Sequence, residues 1–212
     1  MPQVYYTVKT QAENDIIIQK SRFIASVHRI KHEEEAQRII EGINKAHWKA
    51  NHHCYAYVCG ENNQVQKASD DGEPSGTAGV PILEVLKKKD LRDTLVVVTR
   101  YFGGIKLGAG GLIRAYSQAT SEGIKAAGVV ERIPVKIFTT TFSYPLLGSV
   151  ENALRQSPYI IRDMAYTDTV TIEVGVRETD VAGYSEWITN LCNGQCDIKD
   201  IGDTFIEVDV DR

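Results

Sequence analysis

The chain has no long hydrophobic run and no segment with the features of a targeting signal. None of its apolar stretches approaches the roughly 18 residues that a membrane-spanning helix needs. The N-terminal sequence MPQVYYTVKTQAEND lacks the basic and apolar regions of a signal peptide, which favours a cytoplasmic location. Cysteine is scarce as well. The four cysteines never have the Cys-x-x-Cys spacing of a redox or zinc-ribbon site, so reduced thiols are expected.

The common catalytic signatures are also missing. The sequence contains neither a Gly-x-Ser-x-Gly nucleophile elbow nor the glycine fingerprints of dinucleotide-binding and phosphate-binding loops. One cluster could in principle hold a metal ion, and its members are His52, His53, Cys54 and Cys59. The cysteines lie within and at the end of a strand-like run, so ordinary thiols and polar histidines are the favoured interpretation. We expect neither a metal nor a cofactor.

Excess charge is small overall and unevenly divided. Residues 1–134 carry 18 Lys and Arg against 15 Asp and Glu, a net charge of +3, whereas residues 135–212 carry 6 against 13, or −7. An acidic segment repels phosphate backbones, so any nucleic-acid contact is expected in the first part. Even there the excess is smaller than in a strong non-specific nucleic-acid binder.

The chain is organised around residues 94–118, where an apolar run leads through a glycine-rich loop into a helical segment at 112–127. Glycine allows positive φ and a close approach by another group. A helix start presents unpaired N–H groups to an anion. The same pattern is equally typical of a tight structural turn, so it locates a site without naming a reaction. Basic side chains that would add positive charge are Arg100, Lys106 and Arg114, with Tyr101 beside the first.

A second loop, SDDGEPSGTAGVP at residues 69–81, is too irregular for a helix or strand and places three carboxylates within four positions. The polar residues that it contributes are Asp70, Asp71, Glu73, Ser75 and Thr77. The carboxylates could bind Mg²⁺, serve as a general base, or pair with the arginines named above. Pairing is favoured because unpaired like charges repel. We expect this loop and the glycine loop to lie side by side on one face, with His53 reaching the same face.

Four motifs closely resemble the Impact/YigZ family: KSRF at 20–23, HHCYAY at 52–57, DDGEPSGTAGVPIL at 70–83 and VVVTRYFGGIKLGAGGLIRAY at 96–116. The resemblance covers residues 15–130 most strongly. It implies an N-terminal domain like the second domain of ribosomal protein S5, and a small C-terminal domain of the YigZ type. It also raises the prospect that Ser21 and Arg22 reach the shared site. Eukaryotic relatives regulate translation by competing for an activator of an initiation-factor kinase.

Composition, charge and element pattern all change near residues 130–136, which predicts an α+β protein of two domains, 1–134 and 135–212. Residues 129–135 are predicted to join them. The later pattern predicts the order βαββαβ, the ferredoxin-like arrangement. Its predicted elements are strands at 136–143, 159–165, 169–176 and 204–210, and helices at 145–156 and 180–192.

Three functions remain open at this stage. The first is a non-enzymatic binding protein of translation or stress regulation that recognises RNA or a ribosome-associated protein through its N-terminal domain. The second is an enzyme acting on a phosphorylated small molecule, with the carboxylates as metal ligands or base and the basic side chains holding phosphate. The third is a regulator of a protein partner, without nucleic acid. The first is favoured because no complete catalytic set is present, and no membrane partner is expected.

Overall fold

The computed structural model describes residues 3–60 and 62–211, and this part of the chain divides into two compact units. One unit comprises residues 5–131 and 208–211, and the other comprises residues 3–4 and 132–207. Both units combine sheet and helix, so the fold is mixed α and β. The predicted domains also include Met1, Pro2, Glu61 and Arg212, which lie outside the described residues.

The first unit is built on a five-stranded sheet. Its elements are β1 (Tyr5–Val8), β2 (Ala12–Ile18), β3 (Ser21–Arg29), α1 (Glu33–Ala46), β4 (His52–Cys59), β5 (Val65–Ser69), α2 (Gly79–Lys88), β6 (Thr94–Tyr101) and α3 (Gly108–Ala127). The strand order is β2-β3-β6-β4-β5, and each neighbouring pair is antiparallel. Strand β6 is therefore central, which explains its nearly continuous apolar sequence.

The apolar side chains of β6 alternate between two cores, because successive residues of a strand point to opposite faces. Val96 and Val98 belong to the core that α2 and α3 cover, whereas Leu95 and Val97 belong to the core that α1 covers. The apolar residues Ala36, Ile39, Ile40 and Ile43 recur at helical spacing, which predicts one buried helix face. Helix α1 does bury Ala36 and Ile40, with Ile39 and Ile43 packed beside them. Arg100 has the same parity as Val96 and Val98, so it points towards α2 and α3.

The second unit has the predicted element order. Its elements are β7 (Val129–Phe142), a 3-10 turn (Tyr144–Leu146), α4 (Leu147–Arg155), β8 (Ile160–Tyr166), β9 (Val170–Arg177), a 3-10 turn (Glu178–Asp180), α5 (Val181–Leu191) and β10 (Cys196–Val210). Within this unit β8 pairs with β9, β9 pairs with β7, and β7 pairs with β10. The alternating residues Val170, Ile172, Val174 and Val176 are fully buried, as the period-two pattern predicted. None of the helices within residues 3–60 and 62–211 combines the length and apolarity that crossing a membrane demands.

Several elements have bounds that differ from the sequence-based expectation. Residues 129–135, which were predicted to join the two domains, contain the boundary between the two units and also form the first half of β7, in which Val129, Val130, Ile133 and Val135 are buried. Helix α2 begins at Gly79, inside the loop that was predicted over residues 69–81, and α3 begins at Gly108 rather than at residue 112. Glycine disfavours the helix interior but is tolerated at helix ends. Helix propensity therefore does not indicate a helix that starts within a glycine-rich stretch.

Candidate functional site

A cleft of about 420 Å³ opens where the 70–77 loop meets the glycine loop and the start of α3. Its lining residues are Asn51, His52, Glu73, Pro74, Arg100, Phe102, Lys106, Leu107, Gly108, Ala109 and Leu112. The two loops thus lie side by side, and Glu73, Arg100 and Lys106 of the singled-out residues reach the cleft. A volume of this size falls within the usual range of small-ligand pockets.

A buried ion pair forms one wall of the cleft. Arg100 Nη1 donates to Glu73 Oε1 at 2.6 Å, and the two side chains are only 6% and 4% exposed. The hydroxyl of Tyr116, from α3, donates to the same carboxylate oxygen at 2.8 Å. The strand register explains the position of the arginine, since Arg100 lies between Phe23 of β3 and His52 of β4. Its guanidinium also lies 5.3 Å from the Phe23 ring centroid.

The β2–β3 turn fixes the glycine loop against this wall. Ser21 Oγ accepts hydrogen bonds from Arg100 Nη2 at 3.3 Å and from the backbone N–H of Gly103 at 3.2 Å. A Cβ at residue 103 would lie 2.1 Å from the carbonyl of Lys20, so only glycine fits there. Ser21 is fully buried and is not one of the lining residues, so it supports the cleft from behind through Arg100 and Gly103.

The N-terminus of α3 faces the cleft without a side-chain cap. Leu107 is the N-cap residue and makes no capping hydrogen bond, and no acidic residue lies in the first turn. The first N–H groups of a helix have no intrahelical partner and carry the positive end of its dipole. Gly108, at φ +70°, and Ala109 place this end of the helix in the cleft wall, and the exposed Lys106 adds a positive charge.

The other two loop carboxylates have structural partners, which corrects the prediction that they pair with arginines. Asp70 accepts hydrogen bonds from the backbone N–H groups of Gly76, Ala78 and Gly79 at 2.8, 3.0 and 2.8 Å, and so caps α2. Burial alone would raise the pKa of Asp70, but these three donors outweigh it and lower the pKa below its usual value. Asp71 Oδ2 accepts from the backbone N–H of His53 at 2.5 Å.

His53 and Tyr101 lie on the opposite face of the sheet, because their parity along β4 and β6 differs from that of Arg100. His53 Nδ1 contacts Thr99 Oγ1 at 3.1 Å, and burial lowers the pKa of His53, although the nearby Asp71 raises it in part. Tyr101 contacts His47 instead, at 3.0 Å from hydroxyl to Nδ1. The expectation that His53 reaches the cleft was therefore wrong, and the adjacent His52 lines it.

The remaining predicted site residues do not line the cleft. The exposed Arg22 pairs with Asp15 at 2.5 Å rather than with the cleft. Thr77 is buried and its hydroxyl donates to the carbonyl of Pro74 at 2.6 Å, which closes the loop. Ser75 is exposed on the same loop, and Arg114 is exposed on α3 outside the cleft lining.

The buried polar groups behind the cleft do not form a reactive set. Cys54 is fully buried, its Sγ donates to the Asp70 carbonyl at 2.9 Å, and burial raises its pKa to about 12. Burial also raises the pKa of Tyr116 well above its usual value, and the nearby Cys54 and Glu73 add to the effect. Neither group ionises near neutral pH, so neither is an activated nucleophile.

Sequence reasoning missed four of the residues that shape the cleft: Asn51, His52, Phe102 and Tyr116. His52 and Asn51 could have been found from strand pairing, since His52 is the direct cross-strand neighbour of Arg100. The helical spacing of Tyr116 indicates only a buried face, so nothing local marks it as a partner of Glu73.

Comparisons with known proteins agree with the motifs. Residues 19–124 match the Impact N-terminal domain, and residues 140–195 match a domain of unknown function (DUF1949). The chain is 54% identical to the IMPACT family member YvyE of Bacillus subtilis (strain 168), over 96% of this chain and 94% of that one. It is 34% identical to the IMPACT family member YigZ of Escherichia coli (strain K12), over 84% and 88%. A crystal structure described as that of a hypothetical protein superposes with a TM-score of 0.61 at 30% identity, over 95% and 98% of the two chains. This chain therefore belongs to the IMPACT family.

Proposed function

We propose that this protein is a non-enzymatic binding protein of translation or stress regulation, and that the cleft holds a phosphate group of RNA. The observation that supports this most directly is the uncapped N-terminus of α3, which opens into the cleft beside Lys106 and the buried Arg100. Helix N-termini bind phosphate because their N–H groups and dipole favour negative charge. The link to translation comes from the sequence resemblance described above, and the cytoplasmic location is inferred from the composition of the N-terminal segment.

The hydrogen bonds that the carboxylates of the 70–77 loop already accept support binding rather than catalysis. Glu73 is the carboxylate nearest the cleft, but its Oε1 already accepts from Arg100 and Tyr116. Asp70 and Asp71 accept hydrogen bonds from backbone N–H groups, so both carboxylates already have partners within the fold. One observation favours the enzyme alternative: the volume of about 420 Å³ would accommodate a phosphorylated small molecule.

The finer fold assignments belong to the same proposal. Residues 135–212 would be a ferredoxin-like domain, for which the order βαββαβ and the adjacency of β10, β7, β9 and β8 provide support. Residues 1–134 would be a domain like the second domain of ribosomal protein S5, for which the family resemblance provides support.

Capture from cell extract, with and without nuclease, tests the function. We expect the wild-type protein to retain RNA and to lose it after nuclease treatment, and we expect Lys106→Glu to retain little. Lys125→Glu is the matched control, because it makes the same charge change about 25 Å away at the other end of α3. Retention of a protein partner that resists nuclease would favour the protein-regulator alternative. Equal RNA retention by both variants would contradict a role for the cleft.

A further inference from the structure

The buried ion pair in the cleft wall leaves one acceptor and one donor without partners. Glu73 Oε1 accepts two hydrogen bonds, whereas Oε2 accepts none from the residues that the structure describes, and His52 Nε2 lies 3.9 Å from it, beyond hydrogen-bonding distance. Arg100 Nε is buried and has no hydrogen-bond partner. Unpaired polar atoms in a buried site are costly unless a ligand satisfies them. Glu73 and Arg100 both line the cleft, so together they suit a ligand group that both donates and accepts, which is a hydroxyl.

A second part of the cleft suits an anion. The start of α3 contributes unpaired N–H groups at Gly108 and Ala109, and Lys106 contributes a cation. Asn51 adds a fixed donor: its Oδ1 accepts from the backbone N–H of Phe102 at 2.8 Å, which turns the amide NH₂ the other way. These donors match the oxygens of a phosphate, whereas the acceptor on Glu73 does not.

An exposed aromatic ring forms a third part. Phe102 lines the cleft and is 45% exposed, although a phenyl ring is usually buried. The guanidinium of Arg100 lies 5.4 Å from its ring centroid and supports the ring from within the fold. Aromatic side chains fixed beside a positively charged groove stack nucleobases.

We infer that the cleft binds a ribonucleotide unit, an inference that rests on the proposed function. The 2′-hydroxyl lies against Glu73 and Arg100, the phosphate at the start of α3, and the base on Phe102. The 2′-hydroxyl is assigned rather than the 3′ because the 3′-oxygen is esterified within a strand. A free ribonucleotide and an RNA strand share this chemistry, and the 2′-hydroxyl distinguishes both from their deoxy counterparts.

Calorimetric titration of the full-length wild-type protein with AMP, dAMP and adenosine tests the ligand chemistry. We expect dAMP to bind about 10-fold more weakly than AMP, because Glu73 Oε2 then stays unpaired. Adenosine should bind at least about 10-fold more weakly, because it lacks the phosphate. Equal affinity for AMP and dAMP would overturn the hydroxyl contact, and equal affinity for AMP and adenosine would overturn the phosphate contact.

Two variants test the residues. Phe102→Ala should weaken AMP binding about 10-fold through lost stacking, whereas Tyr166→Ala, which removes an exposed ring from the other unit, should leave it unchanged. Glu73→Gln should reduce the preference for AMP over dAMP to about 2-fold or less. If Glu73→Gln fails to fold, the ratio of AMP affinity to dAMP affinity in the wild-type protein still tests the hydroxyl contact. An unchanged affinity in Phe102→Ala would overturn the stacking contact.

The source of the nucleotide is tested with 5′-phosphorylated pentanucleotides of the same sequence in RNA and DNA. Tighter binding of the RNA oligomer than of AMP, with the DNA oligomer weaker, supports both the ligand chemistry and the proposed RNA function. Binding of AMP without the RNA oligomer supports the ribonucleotide site and overturns the proposed RNA function. Binding of none of these probes overturns the inference, while the RNA capture experiment tests the proposed function separately.

Discussion

Arg100 has structural partners on two other segments of the first unit and also lines the cleft. Its Nη1 and Nη2 atoms hold Glu73 and Ser21, which ties three separate parts of the first unit together. Its Nε remains without a partner at the cleft. The residue is 5% exposed, so the ion pair is screened little by solvent and salt. Loss of the side chain should therefore affect folding as well as binding.

Removal of Arg100 is expected to destabilise the protein strongly. Arg100→Ala leaves the Glu73 carboxylate buried with Tyr116 as its remaining hydrogen-bond partner, which should cost about 3–5 kcal/mol in the free energy of unfolding. Urea denaturation measures the difference. Arg22→Ala is the control, because its pair with Asp15 is about half exposed and should contribute less than about 1 kcal/mol. Equal losses in the two variants would contradict the view that the buried pair stabilises the fold.

At the scale of secondary-structure elements, the carboxylate of Asp70 replaces a conventional cap of α2. The N-cap residue Ala78 has no side chain capable of capping. Asp70, in the preceding loop, accepts instead from the N–H groups of Ala78 and Gly79 at the start of the helix, and also from that of Gly76. A negative charge at this end is favourable to the helix dipole. Asp70 thus sets both the loop conformation and the helix start, and thereby places Glu73 opposite Arg100.

The contribution of Asp70 should depend on pH. Its folded-state pKa lies below its ordinary value of 3.8, so the stabilisation is fully present above that pH and is lost as pH falls through the folded pKa. Asp70→Ala should cost about 1–2 kcal/mol at pH 7, as for other capping residues. The difference from wild type should shrink as the pH is taken below 3.8, which denaturation at pH 7, 5 and 3 measures. Asp168→Ala, in the exposed β8–β9 turn, should change stability by less than about 0.5 kcal/mol throughout. A cost that stayed constant from pH 7 to pH 3 would contradict the electrostatic part of the cap.

At the scale of the whole molecule, the two parts of the chain carry net charges of opposite sign. Residues 1–134 are net positive by 3 and residues 135–212 net negative by 7, and the cleft with its basic groups belongs to the first unit. Few cations face the cleft, so only a small part of an RNA strand would be neutralised. Specific contacts rather than general electrostatic attraction would then provide most of the affinity.

The affinity for single-stranded RNA should therefore fall only moderately with salt. Contacts to two or three phosphates predict a slope of log K against log salt concentration of about −2. Fluorescence anisotropy of a labelled oligomer over a range of salt concentrations measures this slope. In the same complex, amide chemical-shift changes should be confined to residues 5–131. A slope steeper than about −5, or shifts centred on residues 135–210, would show that a second basic surface outweighs the cleft.

The sequence by itself determined much of the secondary structure. Period-two alternation fixed Val170 to Val176 as a buried strand, and period 3.6 fixed the inner face of α1, because these patterns depend only on local geometry. It also predicted that the two polar loops lie side by side, because the carboxylates of one loop can pair with the basic residues of the other, and the two loops do meet at the cleft. It misplaced the starts of α2 and α3, where glycine weakens the propensity signal.

Tertiary structure decided which polar residues meet. Strand register places His52, not His53, beside Arg100, since neighbouring residues of a strand point to opposite faces. The choice of Glu73 over Asp70 and Asp71 as the partner of Arg100 depends on the fold of the loop, in which the other two carboxylates accept from backbone N–H groups. Asn51, Phe102 and Tyr116 reach the cleft region through contacts between residues 43 to 51 positions apart in the chain. Such long-range contacts cannot be predicted from neighbouring residues, because they form only when the sheet brings distant segments together.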